Sequence, residues 1–305
     1  MAIANTKNYS YLMDPTYRKI FFNQYGTFPS HMSECFNIET VSKGNWIAEA
    51  MMSPLGAAGI VPEGNAIQFD SPVQGYAVKK YFDKYGLGFQ VTEEMQDDDL
   101  TPIIQQMPAQ LGVGIAYARE LAMADLFNNG MTASLYTGMD GKAIFATGHT
   151  CLRSPTTTQD NTVASGASLS QTPLQSALDL IYNWKDEAGR LITGYEPQYL
   201  MVPVGLRWMA VLLTKNEGKP ETTDRDMNVV TDQYAGLMAK PVPYLTSATA
   251  WFIVCKKKDT RFTWRRNVKF GSSDDFSTGN AVFKSTARWA TWCYDWRGLY
   301  RNPGA

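Results

Sequence analysis

The sequence predicts an α+β fold, with strands and helices segregated along the chain instead of alternating. Three observations lead there. A hairpin-like pattern precedes one long helical pattern near residues 103–129, a middle section mixes short strands with two helices, and the C-terminal part alternates with a period of two. No regular β-α-β alternation appears, so a doubly wound sheet is not expected. The 305 residues suffice for one large domain or two modest ones. Apolar residues make up 44 % and charged residues 19 %, the balance of a globular chain. A net charge of −1 gives no overall attraction to nucleic acid or anionic membrane.

Each element can be justified in order. Residues 1–45 mix aromatics, prolines and polar residues without a sustained period and read as an extended arm with one short helix. They lack the apolar core of a secretion signal. WIAEAMMSPLGAAGI (46–60) starts as a strand and dissolves into Gly and Ala. VPEGN (61–65) is a turn, and AIQFDSPVQGYAVKKYF resumes an extended pattern. Together they form a long hairpin with a weakly packed tip at Pro54, Leu55, Gly56, Gly59 and Ile60. A tip of this composition cannot bury enough surface to offset its own ordering entropy.

The acidic run Glu93, Glu94, Asp97, Asp98, Asp99 precedes Thr101-Pro102, a cap and first-turn pair. The helix that follows carries Leu111, Ile115, Ala118, Ala122 and Leu126 at helical spacing and stops at Asn129-Gly130. At about 26 residues it would be a rod of roughly 39 Å. SPTTTQDNTVASGASLS (154–170) is the best linker candidate. A second helix starts at Thr172-Pro173, carries Leu174, Leu178, Ile181 and Lys185 on one line, and ends at Gly189. YLMVP is a buried strand, GLRWMAVLLT a helix, and 215–228 an exposed loop. Strands resume at PVPYL, AWFIVCK and RFTWRRNVKF. In AVFKSTARWATWCYDW, Phe283, Ala287, Trp289 and Cys293 share one face, with Lys284, Thr286 and Arg288 opposite.

Chemistry is sparse. His149 and Cys151 sit in DGKAIFATGHTCLRS, but no hydrolase signature surrounds the cysteine, and side chains two apart on a strand diverge from a shared substrate atom. His31, Cys35, His149 and Cys151 match no common zinc spacing. The acidic run lacks the alternation and central glycine of a calcium loop. The basic run 256–269 carries Lys256, Lys257, Lys258, Arg261, Arg265 and Arg266 with Phe262 and Trp264 interleaved, which would suit single-stranded nucleic acid. A half-buried strand with a cationic outer face explains it equally well. There is no Walker loop, dinucleotide fingerprint or nucleophile elbow, and no cofactor is expected. The four cysteines, at 35, 151, 255 and 293, are scattered and read as free thiols of a cytoplasmic protein.

The order of the segments resembles a major capsid protein of a tailed bacteriophage with the Hong Kong 97-type fold, Mu-type heads being nearest in pattern. The resemblance covers about residues 40–305. It is carried by the hairpin followed by KKYFDKYGLGFQVTEEMQDDDL, the long helix, and DGKAIFATGHT, which is similar to a DG-x-x-LF-x-x-x-H segment. KDEAGRLI, EPQYLMVPVGLRWMAVLL, PYLTSATAWFIVCKK and RWATWCYDWRGLYRNPGA follow. The resemblance implies an N-terminal arm (1–45), an extended loop over a neighbouring subunit (46–85) and a peripheral domain with a spine helix (86–168). An axial domain (169–268) and return strands of the peripheral domain (269–305) complete it. It also implies a non-enzymatic shell protein forming hexamers and pentamers around double-stranded DNA without sequence-specific binding. A portal and a separate scaffold protein would be partners, a decoration protein could bind outside, and assembly would occur in the host cytoplasm with no membrane. With Met1 as the translational start, the short arm is expected to leave no room for a built-in scaffold segment. Residues 46–78 hold no lysine, so the lysine–asparagine weld of some relatives is not expected; Lys79 and Lys80 lie at the loop's base. The acidic and basic runs are the candidates for salt-sensitive contacts between subunits. Under this reading DGKAIFATGHTCLRS is a structural connection in which His149 forms hydrogen bonds. An encapsulin-like compartment shares the fold, and a Cys151/His149 hydrolase is the rival of a different class.

Overall fold

The computed structural model describes residues 10–92, 94–95, 104–216, 218, 228–274 and 280–305. The described chain opens with helix α1 (Ser10–Thr27), a 3-10 turn at Ser33–Cys35, strand β1 (Asn37–Thr40), and the paired strands β2 (Trp46–Met52) and β3 (Gln74–Tyr81). Strand β4 (Asp83–Val91) then leads to helix α2 (Met107–Asn129), which a short 3-10 turn at Ile104–Gln106 introduces. Two-residue strands β5 (His149–Thr150) and β6 (Thr158–Gln159) follow, then helix α3 (Gln171–Tyr182), strand β7 (Pro197–Pro203) and helix α4 (Arg207–Lys215). The chain closes with α5 (Val229–Gln233), β8 (Met238–Val242), β9 (Trp251–Cys255), β10 (Thr260–Asp274), β11 (Ala281–Cys293) and β12 (Leu299–Asn302). The expected α+β class and the order of elements stand.

Two four-stranded sheets organise the molecule. The first runs β1-β10-β11-β4, with β1 parallel to β10 and the other pairs antiparallel. Along β11 the predicted alternation holds: Phe283, Ser285, Ala287 and Trp289 are buried and Lys284 is exposed. Beyond Trp289 both faces are covered. The second sheet runs β12-β9-β7-β8. Every residue of its β9, WFIVC, is buried, the pattern of a strand covered on both faces. Its edge strand β8 carries Pro241, which cannot donate to a further strand. The sequence boundary at 268/269 falls inside β10 (Thr260–Asp274), next to a register shift in its pairing with β11 between Arg266 and Lys269. The last strand, β12, pairs with β9 in the second sheet, not with the first.

Helix α2 spans the first sheet, and its buried residues include Leu111, Ile115, Met123, Leu126 and Phe127. Ala118 and Ala122, expected on the same line, are only half-buried, since Ala116, Glu120 and Ala124 take the inner positions. Pro108 sits in its first turn, where a missing N–H costs nothing. Gly130 ends the helix as expected. A Cβ there would lie 2.4 Å from the Leu126 carbonyl oxygen and 2.7 Å from the Phe145 ring. The expected Thr101-Pro102 start lies outside the described residues.

Three expectations change. The arm contains an eighteen-residue helix, because Tyr17, Phe21 and Tyr25 recur every four residues, Phe21 and Tyr25 packing beside α2 and Tyr17 against Phe283 of β11. Gly112 of α2 allows this approach: a Cβ at that position would sit 2.7 Å from the Phe21 carbonyl oxygen. Ser170 stands at the N-cap position of helix α3, with Thr172 and Pro173 inside the first turn, and the helix ends at Tyr182, so Lys185 and Gly189 belong to the following turn. The 154–170 segment is no linker. Gln159, Asn161, Thr162 and Leu169 are buried, and Gly166 passes so close to Gly304 that no side chain would fit.

Candidate assembly surfaces

His149 and Cys151 come first, because they decide whether the site is chemical. His149 is fully buried at the start of β5, with its ring stacked 4.2 Å from the Trp296 ring. Its Nδ1 is 2.7 Å from Asp140 Oδ2 and its Nε2 is 3.2 Å from Asn161 Oδ1. Asn161 is itself oriented, since its Oδ1 accepts from the Ala146 amide and its Nδ2 donates to the Ile144 carbonyl. Both ring nitrogens are therefore occupied by the connection. Burial pushes the Asp140 carboxyl up. The His149 hydrogen bond and the Lys142 amide more than offset this, leaving it below the usual carboxylate range. The Cys151 thiol is buried, and Gln159 Nε2 donates to its sulfur. Burial and the charge of Glu187 raise its pKa, the opposite of what a nucleophilic thiolate needs. The other thiols follow suit: burial pushes Cys35 up to about 11, Cys255 up to about 12, and Cys293 well above its ordinary value. All four cysteines are unbridged. Among the described residues, no three His, Cys, Asp or Glu side chains are grouped to hold a metal ion.

Behind this connection lies a polar core that the sequence reading did not single out. Arg297 and Glu187, both buried, pair at 2.6 Å, and the Arg297 Nε donates to the Lys185 carbonyl. Glu187 also accepts from the Leu152 amide. Buried Glu120 of α2 plays a similar role on the arm, accepting from Ser30 Oγ and from the amides of His31 and Met32. Acidic residues buried among apolar neighbours carry no periodic signal, so only the contacts reveal them.

The hairpin β2–β3 leaves its tip exposed. The tip residues Leu55, Gly56, Gly59 and Ile60 are exposed, Ile60 completely, while Pro54 is half-buried. The returning limb, which the sequence reading left out of the tip, adds Ile67 and Phe69, the latter 98 % exposed. The tip is nonetheless tied to its own subunit. Arg153 Nη1 and Nη2 meet the two Asp70 carboxylate oxygens at 2.7 and 2.5 Å. At the base Arg261 pairs with Glu49 of β2 at 2.6 Å and with Asp259 at 2.6 Å. Lys79 lies over the Trp46 and Tyr81 rings, and Lys80 over Tyr136.

The charged runs divide unevenly. Of the acidic run, only Glu94 falls within the described residues, at the surface; Glu93, Asp97, Asp98 and Asp99 lie outside them. In the basic run, Arg261 is engaged as above, Arg265 donates to the Gly44 carbonyl and Arg266 to Thr286 Oγ1. Lys258 is half-buried near the Tyr199 ring, which leaves Lys256 and Lys257 exposed. Phe262 is buried and Trp264 half-buried against Trp289, so neither offers a free face for a base. A further apolar face, absent from the sequence reading, lies along α4 and the turn before it. There Val204, Trp208, Val211 and Leu212 are exposed, Trp208 by 67 %.

The thiols are buried and both imidazole nitrogens of His149 are occupied, so His149 and Cys151 belong to the interior. The profile of the phage capsid protein family matches residues 76–302, more than half of the chain. The chain belongs to that family. Among solved structures it is similar to the capsid of the cyanophage P-SCSP1u, at 10 % identity and a TM-score of 0.60. That match covers 90 % of this chain and 87 % of the other. The mature capsid of bacteriophage PhiM1 is similar at 11 % identity and a TM-score of 0.57, covering 90 % and 87 %. A virus-like particle from Pyrococcus furiosus is similar at 8 % identity and a TM-score of 0.54, covering 94 % and 98 %. No curated protein matches the chain. At such identities the structural likenesses establish the fold, the Hong Kong 97-type capsid fold, and the family match establishes the role. This phage capsid protein is a non-enzymatic structural component of the virion shell. No described helix is long and apolar enough to cross a membrane. The hydrolase alternative is not favoured, and neither is a cellular compartment, although the Pyrococcus particle shares the fold.

Proposed function

We propose that the chain is the repeated unit of an icosahedral phage head, assembled as hexamers and pentamers in the host cytoplasm around double-stranded DNA. The observation that carries this reading is the hairpin. Its twenty-odd tip residues, exposed and rich in Leu, Ile, Val and Phe, make an apolar projection that a solitary soluble subunit does not need. The reading assigns residues 1–45 to an arm, 46–85 to an extended loop on a neighbour, and 86–168 to a peripheral domain. It assigns 169–268 to an axial domain and 269–305 to return strands, with β10 shared at the last boundary. The exposed face of α4 would then meet the next axial domain. A separate scaffold protein and a portal are the partners of assembly, and a decoration protein is an optional outer one. The near-neutral charge supports DNA containment without specific binding, since affinity for DNA grows steeply with the number of phosphate contacts. Residues 46–78 hold no lysine, so this reading includes no covalent weld from the projecting part of the loop.

Replacing residues 57–68 by a short Gly-Ser bridge tests this reading. Folded subunits that no longer close into shells are expected. Shells of normal size and yield would overturn the hairpin's role.

A further inference from the structure

The hairpin tip is exposed, yet it is held in place by one guanidinium. Arg153 Nη1 donates to Asp70 Oδ2 and, at 3.0 Å, to the Pro54 carbonyl, while Nη2 donates to Asp70 Oδ1. The same Asp70 carboxylate accepts from the Gly56 amide at 2.7 Å and from its neighbour Ser71 at 2.9 Å. One ion pair thus gathers the outgoing limb (Pro54, Gly56), the returning limb (Asp70, Ser71) and the 151–157 turn. We propose that the Arg153–Asp70 pair is a latch that pre-sets the hairpin's posture on its own subunit before any neighbour is met.

Two features distinguish it from an incidental surface pair. The first is geometry: two parallel N–H···O bonds between planar groups fix orientation as well as distance, which a point charge such as lysine cannot do. The second is the anchor. Arg153 stands on a turn closed by Ser154 N–H to the Cys151 carbonyl and by Thr157 N–H to the Ser154 carbonyl, with the Arg153 amide bonded to the Glu187 carbonyl. The Glu187 side chain is in turn held by the Leu152 amide and by buried Arg297. The fixed half of the latch is built into the core, and the movable half is on the hairpin. Leu152 adds an apolar contact against Gly75 of β3, where a Cβ would come within 3.0 Å of it. The tip that composition alone would leave unordered is therefore oriented within one chain. Neither half needs a neighbour, so the latch stands apart from the shell reading; only its consequence for assembly, a hairpin delivered at a set angle, rests on it.

Hydrogen exchange on purified, unassembled full-length subunits tests the latch. The variants are Asp70→Asn, Arg153→Gln and the reciprocal Asp70→Arg with Arg153→Asp. Peptides covering Ser53–Gly56 and Asp70–Val73 should exchange roughly three- to tenfold faster in each single variant. They should recover only in part in the reciprocal one, since an arginine at position 70 cannot accept from the Gly56 amide, with β11 peptides unchanged throughout as a control on the fold. Raising salt from about 0.05 to about 0.5 M should speed the same peptides in the unmodified protein, since a part-exposed pair is screened. Should a variant fold poorly, this salt series alone decides. Equal exchange in single variants and unmodified protein, or no response to salt, overturns the latch whether or not the subunits form shells.

Discussion

His149→Ala separates a structural histidine from a catalytic one, and the structure sets the size of the effect. The substitution removes the bond to the Asp140 carboxylate. Such a charged-acceptor hydrogen bond contributes about 1.5–3 kcal/mol, and the bond to Asn161 adds about 1 kcal/mol. The stack on Trp296 contributes about 0.5–1.5 kcal/mol more. Because these groups touch one another the terms do not simply add, and a net loss of about 3–5 kcal/mol is expected. For a chain of this size that lowers Tm by roughly 5–10 °C. Thermal unfolding of the unassembled subunit, followed by circular dichroism, reads it. His31→Ala is the control: His31 is half-buried at the edge of the Tyr244 ring, and its loss should shift Tm far less. The contribution of Asp140 also has a sign in pH. Its folded pKa is depressed, so its stabilisation is complete above the ordinary carboxylate range and disappears as pH falls through the lowered value. The unmodified protein should therefore lose more stability between pH 5 and pH 3 than His149→Ala does, where about pH 4 is the ordinary carboxylate midpoint. An unchanged Tm in His149→Ala would refute the structural assignment and return Cys151 to consideration.

Two other outcomes follow from the same reasoning. Gly112→Ala would force a Cβ against the Phe21 carbonyl oxygen, so α1 should lift from α2 at a cost of about 1–3 kcal/mol, visible as faster proteolysis within residues 10–27. Reversing Asp97, Asp98 and Asp99 to lysine should reduce shell yield in low salt if the acidic run meets Lys256 and Lys257 of a neighbour, and normal yield would rule that contact out.

What was legible in the sequence was what repeats. The period-two burial of β11, the helical period of α2 and the continuous apolar run of β9 each reflect many residues facing one core. Their order along the chain was enough to expect the capsid fold. What was not legible depends on partners distant in sequence. Helix α1 was hidden because Tyr17, Phe21 and Tyr25 are poor helix formers on their own and gain their order from α2 and the first sheet. The 154–170 segment has the composition of a linker, yet its Asn161 and Gln159 side chains satisfy buried groups of the 144–149 and 185 regions. Its polar residues serve the interior. Gly and Ala content marked the weakly packed stretch of the hairpin, but Phe69 and the Arg153 anchor lie on segments whose composition gives no hint of meeting. His149 was read as a hydrogen-bonding member of the connection. Asp140 is the partner within that stretch, while Asn161 and Trp296 come from far along the chain.

The most direct test of the central claim is negative-stain electron microscopy of the purified protein, expressed with and without its neighbouring genes. Closed shells of uniform size, or rings of five or six subunits, are the predicted result. A monodisperse particle of a single 34.0 kDa chain under every condition would contradict it.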